Sequence, residues 1–191
     1  MRLPPILAFM LVLAAGPALA QNFPAHSFNE LIASDLAMIE QQHHALRTGD
    51  LFFHPGIDNN ARSRAVFTGQ SRPVDDRKHA FITAFASTSE GNPSYAGLYQ
   101  REYLFRADGK DFWLPVQAQV ASYFAAELAS GMPVTLFLRN AGGFRLAKDW
   151  DWVFLVEEFE APKGAAKPGQ PAPPSAKPKT PVIPPGPKTL T

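Results

Sequence analysis

The residues in this chain whose types could do chemistry are five histidines and a set of closely spaced carboxylates. His43 and His44 are neighbours, and His54 follows ten residues later. On a helix, adjacent side chains point about 100° apart, so His43 and His44 cannot grip one ion as an i, i+4 pair would. No HExxH motif is present. His43 falls on an apolar helical stripe and reads as a core or interface residue, while His54, beside Pro55, reads as a loop residue. Asp149 and Asp151 share one face of an extended strand, a spacing that suits a cation or an acid/base pair. Trp150 and Trp152 interleave with them, and the simpler reading is an amphipathic strand start whose acids face water. Glu157, Glu158 and Glu160 read as the solvated end of the same strand.

Nucleophile signatures are missing. The sequence has no GxSxG, no Ser-x-x-Lys and no cysteine. Asn140-Ala141-Gly142-Gly143 lacks the lysine and hydroxyl of a phosphate-binding loop and reads as a hairpin turn. The sequence therefore assigns no catalytic residue, no metal ligand and no cofactor. Hydrolysis would require His54, Glu102, Asp149 and Asp151 to converge in one pocket. Recognition has more to build on. Tyr99, Arg101 and Tyr103 fall on one face of an expected strand, where aromatic rings stack on bases or sugars and arginine adds polar contacts. The competing reading places Tyr103 and Phe105 in the core.

These residues need elements to hold them. Ser27-Phe28-Asn29-Glu30 is a capping-box pattern, followed by Leu31, Ile32, Leu36, Ile39, His43 and Leu46 at three- and four-residue steps. That spacing predicts an amphipathic helix over about 27–48, ended by Gly49, with Glu30, Asp35 and Glu40 on its polar face. Strands are expected at 64–71, with a bulge or bend at Gly69, at 79–87, where Phe81, Thr83 and Phe85 alternate, and at 98–106. Asp108-Gly109 marks a reverse turn, and Asp111–Leu114 either continues the third strand or forms a hairpin partner. Pro115 opens a helix over about 115–130, stopped by Gly131 and Pro133. Strands at 134–139 and 152–159 follow, the latter apolar on both faces and so buried on both sides.

Composition divides the chain into three parts. Residues 1–20 carry a basic start, an apolar run and Ala18-Leu19-Ala20, the pattern of a cleaved signal peptide. The run is shorter than the roughly 20 residues of a membrane-crossing helix. The expected product is periplasmic or secreted, and not an integral membrane protein. Residues 21–161 suit one domain, stabilised without disulfides because no cysteine exists. From 162 to 191 the chain holds more than half of its 19 prolines and no aromatic residue, which predicts a disordered tail. Fully extended, it would reach roughly 90 Å. The tail has five lysines and no acid. Setting these and Arg2 aside from the 18 Lys and Arg leaves 12 in the domain against all 17 Asp and Glu. An acidic domain argues against nucleic acid as its partner.

The element order from about 64 to 160, three strands, a helix and two strands, resembles the OB fold, a five-stranded barrel with its helix between strands 3 and 4. This gives an α+β, mainly β fold: an OB-like barrel preceded by the N-terminal amphipathic helix. An SH3-like barrel with an inserted helix and an open α+β sheet fit the same order. The function expected is a non-catalytic binding or adaptor module of the cell envelope, its partner an envelope protein or a glycan.

Overall fold

The computed structural model describes residues 23–42, 47–55 and 59–162. The expected leader, His43, His44 and the tail from 163 onward lie outside the described residues. The architecture is α+β and mostly strand, with one six-stranded mixed sheet where five strands are expected from the sequence.

Helix α1 runs Phe28–Gln41. It starts where the capping box requires: Glu30 N donates to Ser27 Oγ at 3.2 Å, and Ser27 N donates to Glu30 Oε2 at 2.7 Å. That backbone hydrogen bond holds the Glu30 carboxyl below its ordinary pKa. Two outcomes are expected. Ser27→Ala should cost about 1 kcal/mol of stability, as lost N-caps do. A lowered carboxyl pKa stabilises the fold above the ordinary glutamate range and loses that contribution as pH falls through the lowered value. Thermal unfolding of the wild type should therefore fall more steeply on acidification than that of Glu30→Gln.

Strand β1, Leu51–Phe53, is short and β2, Asn60–Pro73, is long. Gly69 has φ +82°, and the β2–β3 register shifts between Phe67 and Ser71, so the bend expected at this glycine is present. Helix α2 occupies Asp76–Ser89. This corrects the strand expected at 79–87. Lys78, Phe81, Ile82, Phe85 and Ala86 are buried at helical spacing, and Asp75 caps the helix by accepting from Lys78 N at 2.9 Å. A 3-10 turn, Pro93–Leu98, leads to β3, Arg101–Ala107, and the Asp108-Gly109 turn leads to β4, Lys110–Val116. Pro115 is thus a strand residue opposite Glu102 and not a helix start. Helix α3, Ala118–Glu127, is followed by β5, Pro133–Arg145, and β6, Trp150–Glu160.

The strand order is β1-β5-β2-β3-β4-β6, and β5 also pairs with β6. Among the six described strands β4 and β6 pair in parallel, at Val116 and Val156, and the other strand pairs are antiparallel. Two apolar clusters lie on opposite faces of β6. Phe154 and Val156 join Phe28 of α1, Phe67, Phe105 and Phe124 of α3, while Val153 and Leu155 join Phe81, Ile82 and Phe85 of α2. The burial of β6 on both faces is as its composition predicts. Phe124 plugs the first cluster, its ring 5.0 Å from both Tyr103 and Phe159 and 5.3 Å from Phe67. Among the described residues no helix is long and apolar enough to cross a membrane.

Candidate functional site

Asp35 carries the centre of the site. It lies in the buried stripe of α1, seven residues after Phe28 and four before Ile39, and its side chain is completely buried. The polar, water-facing position expected for it is corrected here. A buried carboxylate needs partners, and Asp35 has two drawn from distant parts of the chain. His54 Nδ1 lies 2.6 Å from Asp35 Oδ1, and Asn140 Nδ2 donates to Oδ2 at 2.9 Å. Asn140 is fixed in turn, because its Oδ1 accepts from Gly142 N at 3.0 Å and its own N–H donates to Asn59 O at 2.7 Å. Two backbone elements therefore lock the amide before it touches Asp35.

The consequence falls on His54. A carboxylate accepts and does not donate, so the proton between the two groups sits on Nδ1, and in the neutral ring Nε2 is then left as an acceptor. Asn140 Nδ2 also lies 3.3 Å from Nδ1, but with Nδ1 donating to Asp35 this contact is not a hydrogen bond. The His54 side chain is 15 % exposed and lines a cleft of about 460 Å³ beside α1, a volume typical of small-ligand sites. One wall is helical, with Glu30, Ser34 and Met38 recurring every four residues; Asn59 and Asn60 at the start of β2 face it. Asn60 Oδ1 is buried and has no hydrogen-bond partner among the described residues.

The other expected groups lie elsewhere. Glu102 and Asp151 do come together, through Lys78. Lys78 Nζ is 2.9 Å from Glu102 Oε2 and 3.5 Å from Asp151 Oδ1, and Glu102 Oε1 also takes Arg72 Nε at 2.5 Å. Arg72 lies over Trp113, 4.1 Å from the ring centre. Burial raises the Asp151 carboxyl pKa, against the pull of Lys78. Asp149 is exposed. Among the described residues His54 shares no hydrogen bond or ion pair with Glu102, Asp149 or Asp151. No group of three His, Asp or Glu among them is placed to hold a metal ion.

Tyr99, Arg101 and Tyr103 do not form a common surface. Tyr99 is fully buried, 3.0 Å from the Tyr95 hydroxyl and accepting from Gln117 Nε2 at 3.1 Å. Burial pushes its pKa up to about 12. Its backbone ends the 3-10 turn and is not yet in the strand, which breaks the alternation expected from residue 99 onward. Arg101 is exposed and half-buried Tyr103 packs on Phe67 and Phe124; together they line a shallow hollow of about 240 Å³.

Compared with family models, curated proteins and solved structures, the chain finds no match in any of the three.

Proposed function

We propose that this chain is an exported, non-catalytic binding module of the cell envelope, built on an OB-like barrel and extended by a basic, proline-rich tail. The observation that carries the reading is the polar cleft at His54, whose walls are a capped helix and paired strands. Rigid, prearranged hydrogen-bonding groups around a concavity are what small-ligand recognition uses. Export rests on the leader pattern, and the tail supplies reach toward an envelope partner. The barrel reading draws on the pairing circuit: β2 to β3, β3 to β4, β4 to β6, β6 to β5, and β5 back to β2. Its weakest join is β4 to β6, where Gln117 N donates to Val156 O at 3.1 Å. If the circuit is closed, the Gln117 amide should exchange as slowly as the core strands; exchange at loop rates would open the barrel into a sheet.

Binding at the cleft is tested by retention of envelope extracts on the immobilised mature protein. The double variant His54→Ala/Asn60→Ala should retain less of whatever the wild type holds. Equal retention would remove the cleft from the function. A hydrolytic reading has one observation in its favour, the buried carboxylate behind His54, an arrangement that orients a general base. The separation of His54 from Glu102 and Asp151 leaves that base without the second group expected of it.

A further inference from the structure

Resting on that reading, we infer that the cleft takes a neutral, hydroxyl-rich ligand, a saccharide unit of an envelope glycan, with His54 Nε2 and Asn60 Oδ1 as acceptors for its hydroxyls. Four observations converge on this chemistry.

The first is charge. Among the described residues no lysine or arginine lines the cleft. The carboxylate in its lining, Glu30, accepts from the Ser27 backbone, and Asp35, buried behind His54, is engaged by His54 and Asn140. A phosphate or carboxylate ligand would lose its hydration with no permanent counter-charge in return, since the described lining offers only the histidines His26 and His54 as groups able to become positive.

The second is the orphaned acceptor. A buried oxygen without a donor costs about 1–3 kcal/mol, and Asn60 Oδ1 has no donor among the described residues. Nε2 of His54 is a second acceptor on the same cleft, and the Ser34 hydroxyl supplies a group able to donate or accept. A sugar ring presents neighbouring hydroxyls that each donate one hydrogen bond and accept others, which matches this mixed set.

The third is the closed backbone. A peptide binding as an added strand needs free main-chain donors and acceptors. Beside the cleft these are taken: His26 N donates to Arg62 O at 3.1 Å, and Arg62 N donates to Pro24 O at 2.9 Å. The segment before α1 already occupies that stretch of β2 in a parallel bridge from Ala25 to Arg62.

The fourth is the apolar remainder. His26 also lines the cleft, and Pro24, Leu31 and Met38 offer a surface for the C–H face of a ring. Asn140 spends its side-chain oxygen on Gly142 N and one N–H on Asp35, so it is a positioning residue that fixes Asp35 and through it the His54 ring.

The test uses the full mature chain in calorimetric titrations with three probes: a neutral N-acetylglucosamine tetrasaccharide, a uronate-containing oligosaccharide of the same length, and an extended peptide. The neutral oligosaccharide is expected to bind, and Asn60→Ala and His54→Ala to weaken it about tenfold each. His54→Gln, which keeps an acceptor in place, should recover part of the loss. Because Asn60→Ala removes an unpaired acceptor, its melting temperature should not fall, which separates lost binding from lost folding. Tighter binding of the uronate or the peptide in the cleft would overturn the saccharide assignment while leaving the binding module standing. The same holds if none of the three probes binds but extract retention still depends on the cleft. Neutral-sugar binding that neither variant weakens would overturn the inference. If cleft variants also leave extract retention unchanged, the binding reading beneath it fails too.

Discussion

Replacing Glu102 with alanine is expected to lower the free energy of unfolding by about 3–5 kcal/mol, the cost of stranding a buried charge. Lys78 is 2 % exposed and Glu102 is completely buried. Without the carboxylate, the Lys78 ammonium keeps, among the described residues, the Trp113 carbonyl at 3.4 Å and the half-buried Asp151 at 3.5 Å. Neither replaces the 2.9 Å contact to Glu102. Arg72 should suffer less, since it is half-exposed and retains its stacking on Trp113. The matched control is Lys78→Met/Glu102→Leu. Removing both charges together should restore most of the loss, because a well-packed apolar pair often equals a buried ion pair. Urea denaturation of the two variants checks this. A single variant within about 1 kcal/mol of wild type would mean that the ammonium finds water, and that the network is not sealed.

Gly142→Ala should be at least as damaging, with a loss of about 3 kcal/mol or more from left-handed strain and steric conflict together. Gly142 has φ +99°, and a Cβ built there would lie 2.0 Å from Phe52 O and 2.9 Å from His54 N. Both atoms are backbone, so no side chain can rotate away. Relief requires β1 to lift off β5, and β1 leads directly into His54. The variant should therefore weaken binding at the cleft as well as stability. At Gly97 a methyl group would meet nothing within 4 Å and the backbone has no positive φ, so Gly97→Ala should stay within about 0.5 kcal/mol of wild type. Equal stability of the two alanine variants would contradict the packing of β1 described above.

The elements set by local chemistry are readable from the residues. The capping box locates α1, Gly69 locates the bend in β2, Asp108-Gly109 locates the β3–β4 turn, and the apolar run in β6 announces burial on both faces. Helix α2 reads as a strand because Phe81, Thr83 and Phe85 satisfy a two-residue period. The same window also places Lys78, Phe81, Ile82, Phe85 and Ala86 at helical spacing, with Asp75 available as a cap. The Asn140–Gly143 segment looks like a turn, yet it is strand. Its glycines are needed there because β1 crosses over Gly142 and the Asp151 carbonyl lies 2.7 Å from where a Cβ on Gly143 would sit. The cleft is not readable in the same way. Asp35 lies 19 positions from His54 and 105 from Asn140, with 86 between the latter two, and each alone suits a helix surface, a loop or a turn. Only the pairing of β5 with β1 and β2 brings them together. A carboxylate seven residues after a buried Phe, in the middle of an apolar stripe, is the one signal in the sequence that points there.

The claim on which the account turns is that ligand recognition occurs at the cleft held by Asp35, His54 and Asn140. Backbone amide shifts of the isotopically labelled protein, followed by NMR as soluble envelope glycan fragments are added, test it most directly. Saturable shifts confined to the amides of Ser34, His54, Asn59, Asn60 and Asn140 are expected. Shifts clustered instead at Arg101, Tyr103 and the first turn of α3 would contradict it and move recognition to the hollow beside β3.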